Sequence, residues 1–281
     1  MNLLHAVISR LPFEWAQFEF MRNALLAVII VAPLFALIGT LVVNNRMAFF
    51  SDAIGHASLT GLGLGVLLGL ADPFWALVFF SLLLGVGILA LQRFTRSSMD
   101  TVISLSMCFS LALGVVLLSR GGSFNRFSSY LIGDLLSITA REIGQLFITS
   151  ILVGGGLLLG YNRILSIGLN ESLARSRGRG AWWPQMLFCA AIALVVTMNL
   201  GWVGILIINS LLVLPAAAAR NIAHDARQYV LIAVGISLFC GIAGLITSFY
   251  ANTATGATIV LVAMACFMAT LGIKWRKARV G

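Results

Sequence analysis

An all-α bundle of eight or nine membrane-crossing helices is the fold this sequence predicts, and three observations predict it. Hydrophobic residues make up 60% of the 281 and charged residues only 10%. The mean hydropathy is +1.03. The apolar residues also gather into separate stretches, each near the roughly 20 residues that a helix rising 1.5 Å per residue needs to cross about 30 Å of hydrocarbon. Soluble domains carry roughly 25% charged residues, so this chain has too little polar surface to clothe a water-facing shell.

Taken in order, residues 1–21 read as an N-terminal interfacial segment. The short apolar piece at 3–8 is followed by Arg10, Pro12, Glu14 and Glu19 with no small-residue cleavage pattern, so the first span is expected to stay in the mature protein. Nine apolar stretches follow, at 22–43, 53–70, 74–92, 101–119, 142–160, 182–199, 200–219, 229–249 and 256–273. The sixth and seventh are nearly continuous, and Asn199-Leu200-Gly201 is the expected turn between them. Eight spans plus one re-entrant segment is the alternative count. Pro33 and Pro215 fall inside spans one and seven, where packing is the favoured reading over a pathway kink. Residues 22–273 thus form the bundle of a single integral membrane domain spanning 1–281, and 274–281 form a basic tail.

The net charge of +9 is topological rather than a nucleic-acid footprint. The loops at 44–52, 93–100, 161–181, 220–228 and 274–281 hold 13 of the 18 Lys and Arg. Arg10, Arg22, Arg120, Arg126 and Arg141 fall on the other side. The positive-inside rule makes the rich side cytoplasmic and, with nine spans, leaves the N-terminus outside. The 120–141 loop opposes the rule, and its "SSYLIGDLLSIT" reads as a short interfacial helix. The cysteines, Cys108, Cys189, Cys240 and Cys266, all lie in apolar runs without metal-ligand spacing and read as small buried hydrophobes. His5 and His224 read as ordinary loop residues.

Within the spans, apart from the opening residues Arg22 and Glu142, the only ionisable side chain other than cysteine or tyrosine is His56. Asp52 lies four residues earlier in "SDAIGHASLTG", so on a helix carboxylate and imidazole share a face, and Thr60 continues it. An acid at mid-membrane costs about 2.5–3.5 kcal/mol on insertion scales, which makes such a pair a functional site by default. Imidazole nitrogen and carboxylate oxygen are donors that suit a divalent cation such as zinc. Two ligands are too few for a tight structural site but suit an ion that must be released, with water or a second copy of the chain completing the shell. The competing reading is an interfacial hydrogen bond that orients the helix start. Gly61, Gly65 and Gly69 then recur at four-residue intervals, a row that lets helices pack closely.

The longest basic connection, "SIGLNESLARSRGRGAWWPQ", has a helix start at Asn170 and Glu171 and glycines to end it at Gly178 and Gly180. It reads as a short amphipathic helix that rests on the bilayer or docks a cytoplasmic partner. No HExxH, GxSxG or Walker A pattern occurs, so the chain is not an enzyme and does not hydrolyse ATP alone.

At these segments the sequence resembles the permease subunits of metal-ion ABC importers of the ZnuB and MntB type, which take up zinc, manganese or iron. The resemblance rests on "NNRMAFFSDAIGHASLTG", "SSYLIGDLLSIT", "SLARSRG", "VGILIINSLLVLPAAAAR" and "TATGATIVLVA", in that order along nearly the whole chain. It implies the cobalamin-transporter-like permease fold in the bacterial inner membrane, a homodimer, a paired cytoplasmic ABC ATPase and an extracytoplasmic metal-binding protein. No cofactor is held permanently; the implied cargo is a divalent metal, zinc first. The family's Asp-x-x-x-His motif falls on Asp52 and His56, and its ATPase-coupling helix falls within 166–180 on Asn170, Glu171, Leu173, Ala174 and Gly178. Ser172 stands where the family commonly has an acidic residue. A gradient-driven secondary carrier is the rival reading. A further tension is that the 44–52 connection is expected on the cytoplasmic side, whereas a transport site belongs within the membrane. A broken helix dipping into the bundle at "VVNNRMAFFSD" would reconcile the two.

Overall fold

The computed structural model describes residues 14–95, 97–120, 135–169 and 182–280. Each of the nine apolar stretches is a helix: α1 Glu19–Asn44, α2 Phe50–Leu67, α3 Phe74–Thr95, α4 Met99–Arg120, α5 Ala140–Leu169, α6 Trp182–Val203, α7 Ile205–Ile222, α8 Ala226–Ala251 and α9 Thr255–Val280. Eight are long and apolar enough to cross a membrane. The ninth, α2, falls short because Asp52, His56 and its serines and glycines dilute its hydropathy, yet 13 of its 18 residues are buried. Lipid-facing surface needs apolar side chains, and α5 shows them in Phe147, Ile148, Ile151, Leu152, Leu158 and Leu159, all exposed.

Local chemistry fixes the helix ends. Thr139 and Glu142 form a reciprocal capping box at the start of α5: the Glu142 amide donates to Thr139 Oγ1, and the Thr139 amide donates to Glu142 Oε2 at 2.7 Å. The part of "SSYLIGDLLSIT" that is described is a 3-10 turn at Leu135–Ser137, held to α1 by Asn23 Nδ2 donating to the Ile138 carbonyl. Asp225 caps α8 by accepting from the Gln228 amide at 2.7 Å, which gives the loop beside His224 a structural role.

Two boundaries differ from the sequence expectation. The α6–α7 break falls at Gly204, not at Asn199-Leu200-Gly201. Gly204 has φ 78° and ψ 154°, a conformation open essentially to glycine alone, whereas Asn199 turns its amide back onto the Val195 carbonyl and stays helical. Gly69, expected as the third member of the packing row, instead ends α2. It sits at φ 66° as a left-handed cap, with the Leu70 and Gly69 amides bonding back to the Gly65 and Val66 carbonyls, and a Cβ there would meet nothing within 4 Å. Cys108 also departs from the buried-hydrophobe reading, since it is exposed on α4.

The contacts group into two compact units, whose boundaries fall inside α1, α5 and α6. One holds 14–40, 135–155 and 202–280. Within it, Gly39 of α1 lies directly against the backbone carbonyl of Leu212 in α7, close to the buried Pro215. Ser237 of α8 donates to the Ala32 carbonyl at 3.0 Å, and Gly244 receives Ile259 of α9. Pro33 and Pro215 both lie inside continuous helices.

The other unit holds 41–95, 97–120, 156–169 and 182–201. Here α2 is clasped on two sides. Gly61 and Gly65 let α3 approach, so that a Cβ on Gly61 would lie 2.6 Å from Leu77 Cα and one on Gly65 would lie 3.0 Å from Pro73 Cα. On the α4 side a Cβ on Gly63 would lie 3.0 Å from Leu117 Cβ. Buried hydroxyls pin both seams: Ser58 and Ser81 share a hydrogen bond at 3.3 Å, and Thr60 Oγ1 donates to the Ser110 carbonyl.

Candidate metal centre

Between α1 and α2 the chain makes an irregular turn at 45–49. The Met47 amide donates to the Val42 carbonyl and the Arg46 amide to Val43, with Arg46 at φ 56°, so α1 ends in a Schellman cap built on an arginine rather than a glycine. Met47 is buried, and the Phe50 amide donates to its carbonyl, starting α2 with Asp52 in the first turn. The positive end of the helix dipole favours a negative side chain there.

Asp52 and His56 come together as the spacing requires. His56 Nε2 stands 3.8 Å from Asp52 Oδ1. That separation is too long for a hydrogen bond between these two atoms. One ion can touch both atoms: with bonds of about 2.1 Å to nitrogen and oxygen, the angle at the metal is roughly 130°. Closing the gap by about 0.4 Å would make that angle tetrahedral. Nδ1 of His56 is buried without a hydrogen-bond partner. No third His, Cys, Asp or Glu joins the pair among the described residues.

The burial pattern singles out these two side chains. Of residues 50–63, all are buried except Asp52 and His56, whose side chains are 27% and 19% exposed. Thr60, next on the same face, is sealed against α4. Over residues 50–63 the helix therefore opens to its surroundings at one carboxylate and one imidazole.

The neighbouring helices give the depth of that opening. Gly61 faces Leu77, Gly65 faces Pro73, and Gly85 touches Ile54 and Phe50 at 3.5 Å, so α2 and α3 run antiparallel in a single register. Thr60 meets Gly114 and Gly63 meets Leu117, so α2 and α4 run parallel. These registers set His56 level with Leu82–Leu83 in α3 and with the Phe109 region in α4, close to the midpoint of both. The start of α2 at Phe50 falls level with Ile88, roughly 10 Å along the axis from the end of α3 at Thr95. The turn at 45–49 thus delivers α2 to a level inside α3 rather than to its end.

Other expected groupings are met within each unit. Asn44 Nδ2 donates to the Leu165 carbonyl at 3.2 Å, and Arg93 lies 4.3 Å over the Trp182 ring, which brings the 44–52, 93–100 and 161–181 connections to one end. Asn221 Nδ2 reaches Thr270 Oγ1 at 3.4 Å, bringing the ends of α7 and α9 together. Asn170, Glu171, Leu173, Ala174 and Gly178 lie outside the described residues. Sequence reasoning missed the Asn44 contact and the Arg93–Trp182 stack. The two asparagines ending α1 were a signal for the first; an arginine 89 positions from its tryptophan gave none for the second.

Comparison with known proteins gives one consistent result. The model of the ABC 3 transport family matches residues 17–274. The chain is 32% identical over 256 residues to the high-affinity zinc uptake system membrane protein ZnuB of Haemophilus influenzae, a match covering 91% of this chain and 98% of that one. It is 26% identical over 251 residues to the manganese transport system membrane protein MntC of Listeria monocytogenes, covering 89% of each. Its fold is similar to that of PsaBC from Streptococcus pneumoniae in complex with Fab, with a TM-score of 0.78 at 24% identity over 96% of this chain and 95% of that chain. With the family model matched over nearly its whole length and eight helices fit to cross a bilayer, the chain belongs to the ABC 3 transport family, as a multi-pass permease of the bacterial inner membrane that transports rather than catalyses.

Proposed function

We propose that the chain is the permease of an ABC importer for a divalent transition metal, with zinc the first substrate, and that Asp52 and His56 hold the ion in transit. The observation that carries this reading is the opening of an otherwise packed α2 at one carboxylate and one imidazole, level with the middle of two membrane-crossing helices. A mid-membrane charge is costly, and a passing dication offsets that cost. Two donors bind weakly enough for release; water or the same pair from a second copy of the chain completes the shell.

Zinc is supported by the imidazole donor and by the zinc-system relative. The manganese-system relative and the carboxylate donor support manganese as the second reading. A homodimer, a cytoplasmic ATPase pair docking on Asn170, Glu171, Leu173, Ala174 and Gly178, and an extracytoplasmic binding protein complete the proposed assembly. Membership in an ABC family displaces the gradient-driven carrier.

The test is uptake of radioactive zinc by cells or proteoliposomes carrying the whole transporter. Asp52→Ala and His56→Ala are each expected to lower uptake at least tenfold while the ATPase still co-purifies. Zinc is expected to compete with the tracer at lower concentration than manganese. Wild-type uptake by both variants would remove the assigned site, and stronger competition by manganese would reassign the cargo.

A further inference from the structure

The last membrane-crossing helix and the basic residues that follow it are one element. α9 runs unbroken from Thr255 to Val280, so Lys274, Arg276, Lys277 and Arg279 sit on helix turns rather than on a free tail. At 1.5 Å per residue the rise from Thr255 to Lys274 is roughly 28 Å, close to the about 30 Å of hydrocarbon in a bilayer. The cations therefore begin at the level of the lipid headgroups.

One face of this helix is both apolar and uncovered. Leu261, Met264, Met268, Leu271 and Trp275 follow one another at alternating three- and four-residue intervals, and all five are exposed. Arg279 comes next on that face, and its guanidinium stands 3.5 Å over the Trp275 ring. At the charged end of the stripe is a groove of about 540 Å³, lined among the described residues by Met268, Leu271, Gly272, Lys274 and Trp275. Gly272 helps to leave it open, since a Cβ there would meet nothing within 4 Å. The walls are apolar, and the cations of Lys274 and Arg279 stand at one end.

We propose that this groove holds an anionic phospholipid, with an acyl chain along Met268, Leu271 and Gly272 and the phosphate at Lys274 and Arg279. Tryptophan is at home in the headgroup region, and a cation at that level attracts an anionic headgroup. A second copy of the chain fits this face less well. Copies in one membrane, related by a twofold axis along its normal, would bring the same ends of α9 together. Lys274 and Arg279 would then face their own kind, and α9 contains no Asp or Glu to offset them. A lipid brings the missing negative charge to the level where the cations stand. Orientation by the positive-inside rule accounts for the charges but not for the groove beside them.

The experiment titrates the purified full-length chain, in a neutral detergent, with phosphatidylglycerol and with zwitterionic phosphatidylcholine, and counts bound lipid by native mass spectrometry. Wild type is expected to bind phosphatidylglycerol at least about tenfold more tightly. K274Q and R279Q change exposed side chains, and each is expected to weaken phosphatidylglycerol about fivefold and leave phosphatidylcholine unchanged. Gly272→Leu fills the groove without altering a charge. Its binding of phosphatidylglycerol is expected to fall about tenfold while its melting midpoint without lipid does not fall, because leucine favours the helix over glycine. Equal affinity of wild type for the two lipids, or unchanged affinity in both charge variants, overturns the headgroup assignment. Wild-type affinity in Gly272→Leu overturns the groove, leaving diffuse charge attraction alone. A Gly272→Leu chain that passes from dimer to monomer in lipid-free detergent assigns the face to a second copy and overturns the lipid site.

Discussion

Adding one methyl group at Gly61 tests how far the position of the candidate site depends on close helix approach. A Cβ at Gly61 would stand 2.6 Å from Leu77 Cα, 2.8 Å from the Ala76 carbonyl oxygen and 3.1 Å from the Leu77 amide nitrogen. All three are backbone atoms, so no side chain can swing aside. Reaching an ordinary contact near 3.4 Å requires α2 and α3 to separate by about 0.8 Å. Overpacking of this kind costs about 1–3 kcal/mol, more than the roughly 1 kcal/mol of helix propensity that alanine gains over glycine. The mid-range net cost is about 1 kcal/mol, so at about 2–4 °C per kcal/mol for a chain of this size the melting midpoint of Gly61→Ala is expected to drop by about 2–4 °C.

The same addition elsewhere on these helices has the opposite sign. At Gly85 a Cβ meets its three nearest atoms at 3.5 Å, an ordinary contact, so Gly85→Ala keeps the propensity gain and melts slightly above wild type. Gly65→Ala, with contacts at 3.0 to 3.1 Å that include the Ala76 methyl, falls between. The assay is thermal unfolding of the purified chain in one detergent at one heating rate, paired with zinc uptake. Uptake is expected to fall with Gly61→Ala, because the separation displaces the helix bearing Asp52 and His56, and to persist with Gly85→Ala. A Gly61→Ala protein that melts at or above wild type, or a Gly85→Ala protein that loses as much as Gly61→Ala, would refute the reasoning.

Two further outcomes follow from the helix ends. Gly204→Ala places a side chain at φ 78°, ψ 154°, which is expected to cost about 1–3 kcal/mol and lower the melting midpoint. Gly235→Ala, where a Cβ meets nothing within 4 Å, serves as the control that does not fall. Thr139→Ala removes the hydroxyl that accepts from the Glu142 amide and is expected to cost about 1 kcal/mol by the same melting assay. Thr139→Ser, which keeps that hydroxyl, recovers most of the loss.

What the sequence could disclose followed from the kind of signal each feature leaves. Helix existence leaves a strong one, since apolar runs of membrane length have few alternatives in lipid, and each of the nine runs is a helix. The Asp52–His56 pairing was legible because one turn of helix is a local geometry. Boundaries set by a single backbone conformation were not. Gly201 and Gly204 look equally able to break a helix, and only the fold selects Gly204. Arg46 in the left-handed region carries no residue-type signal at all, since glycine is the residue expected there. Gly61, Gly65 and Gly69 read as one periodic row, but the chain reverses at the third, so the same spacing serves packing and then termination. The level of the pair along its neighbouring helices was the largest gap. It is a property of register between helices far apart in sequence, fixed here by contacts such as Gly85 with Ile54 and Gly114 with Thr60.

That register also explains how the helix bearing the site can fall short of the hydropathy that the other eight share. A span facing lipid must be hydrophobic on its exposed side, as α5 is. A helix enclosed by protein is released from that demand and can carry serine, threonine and glycine wherever its neighbours supply partners or close contact. Ser58 has Ser81, Thr60 has the Ser110 carbonyl, and Gly61 has the backbone of α3. Polar content in α2 is therefore matched residue by residue across its seams. Asp52 and His56 differ from these in staying partly exposed, with their facing atoms 3.8 Å apart. Enclosure of the other residues from 50 to 63 leaves these two groups as the part of that stretch that the proposed ion can reach.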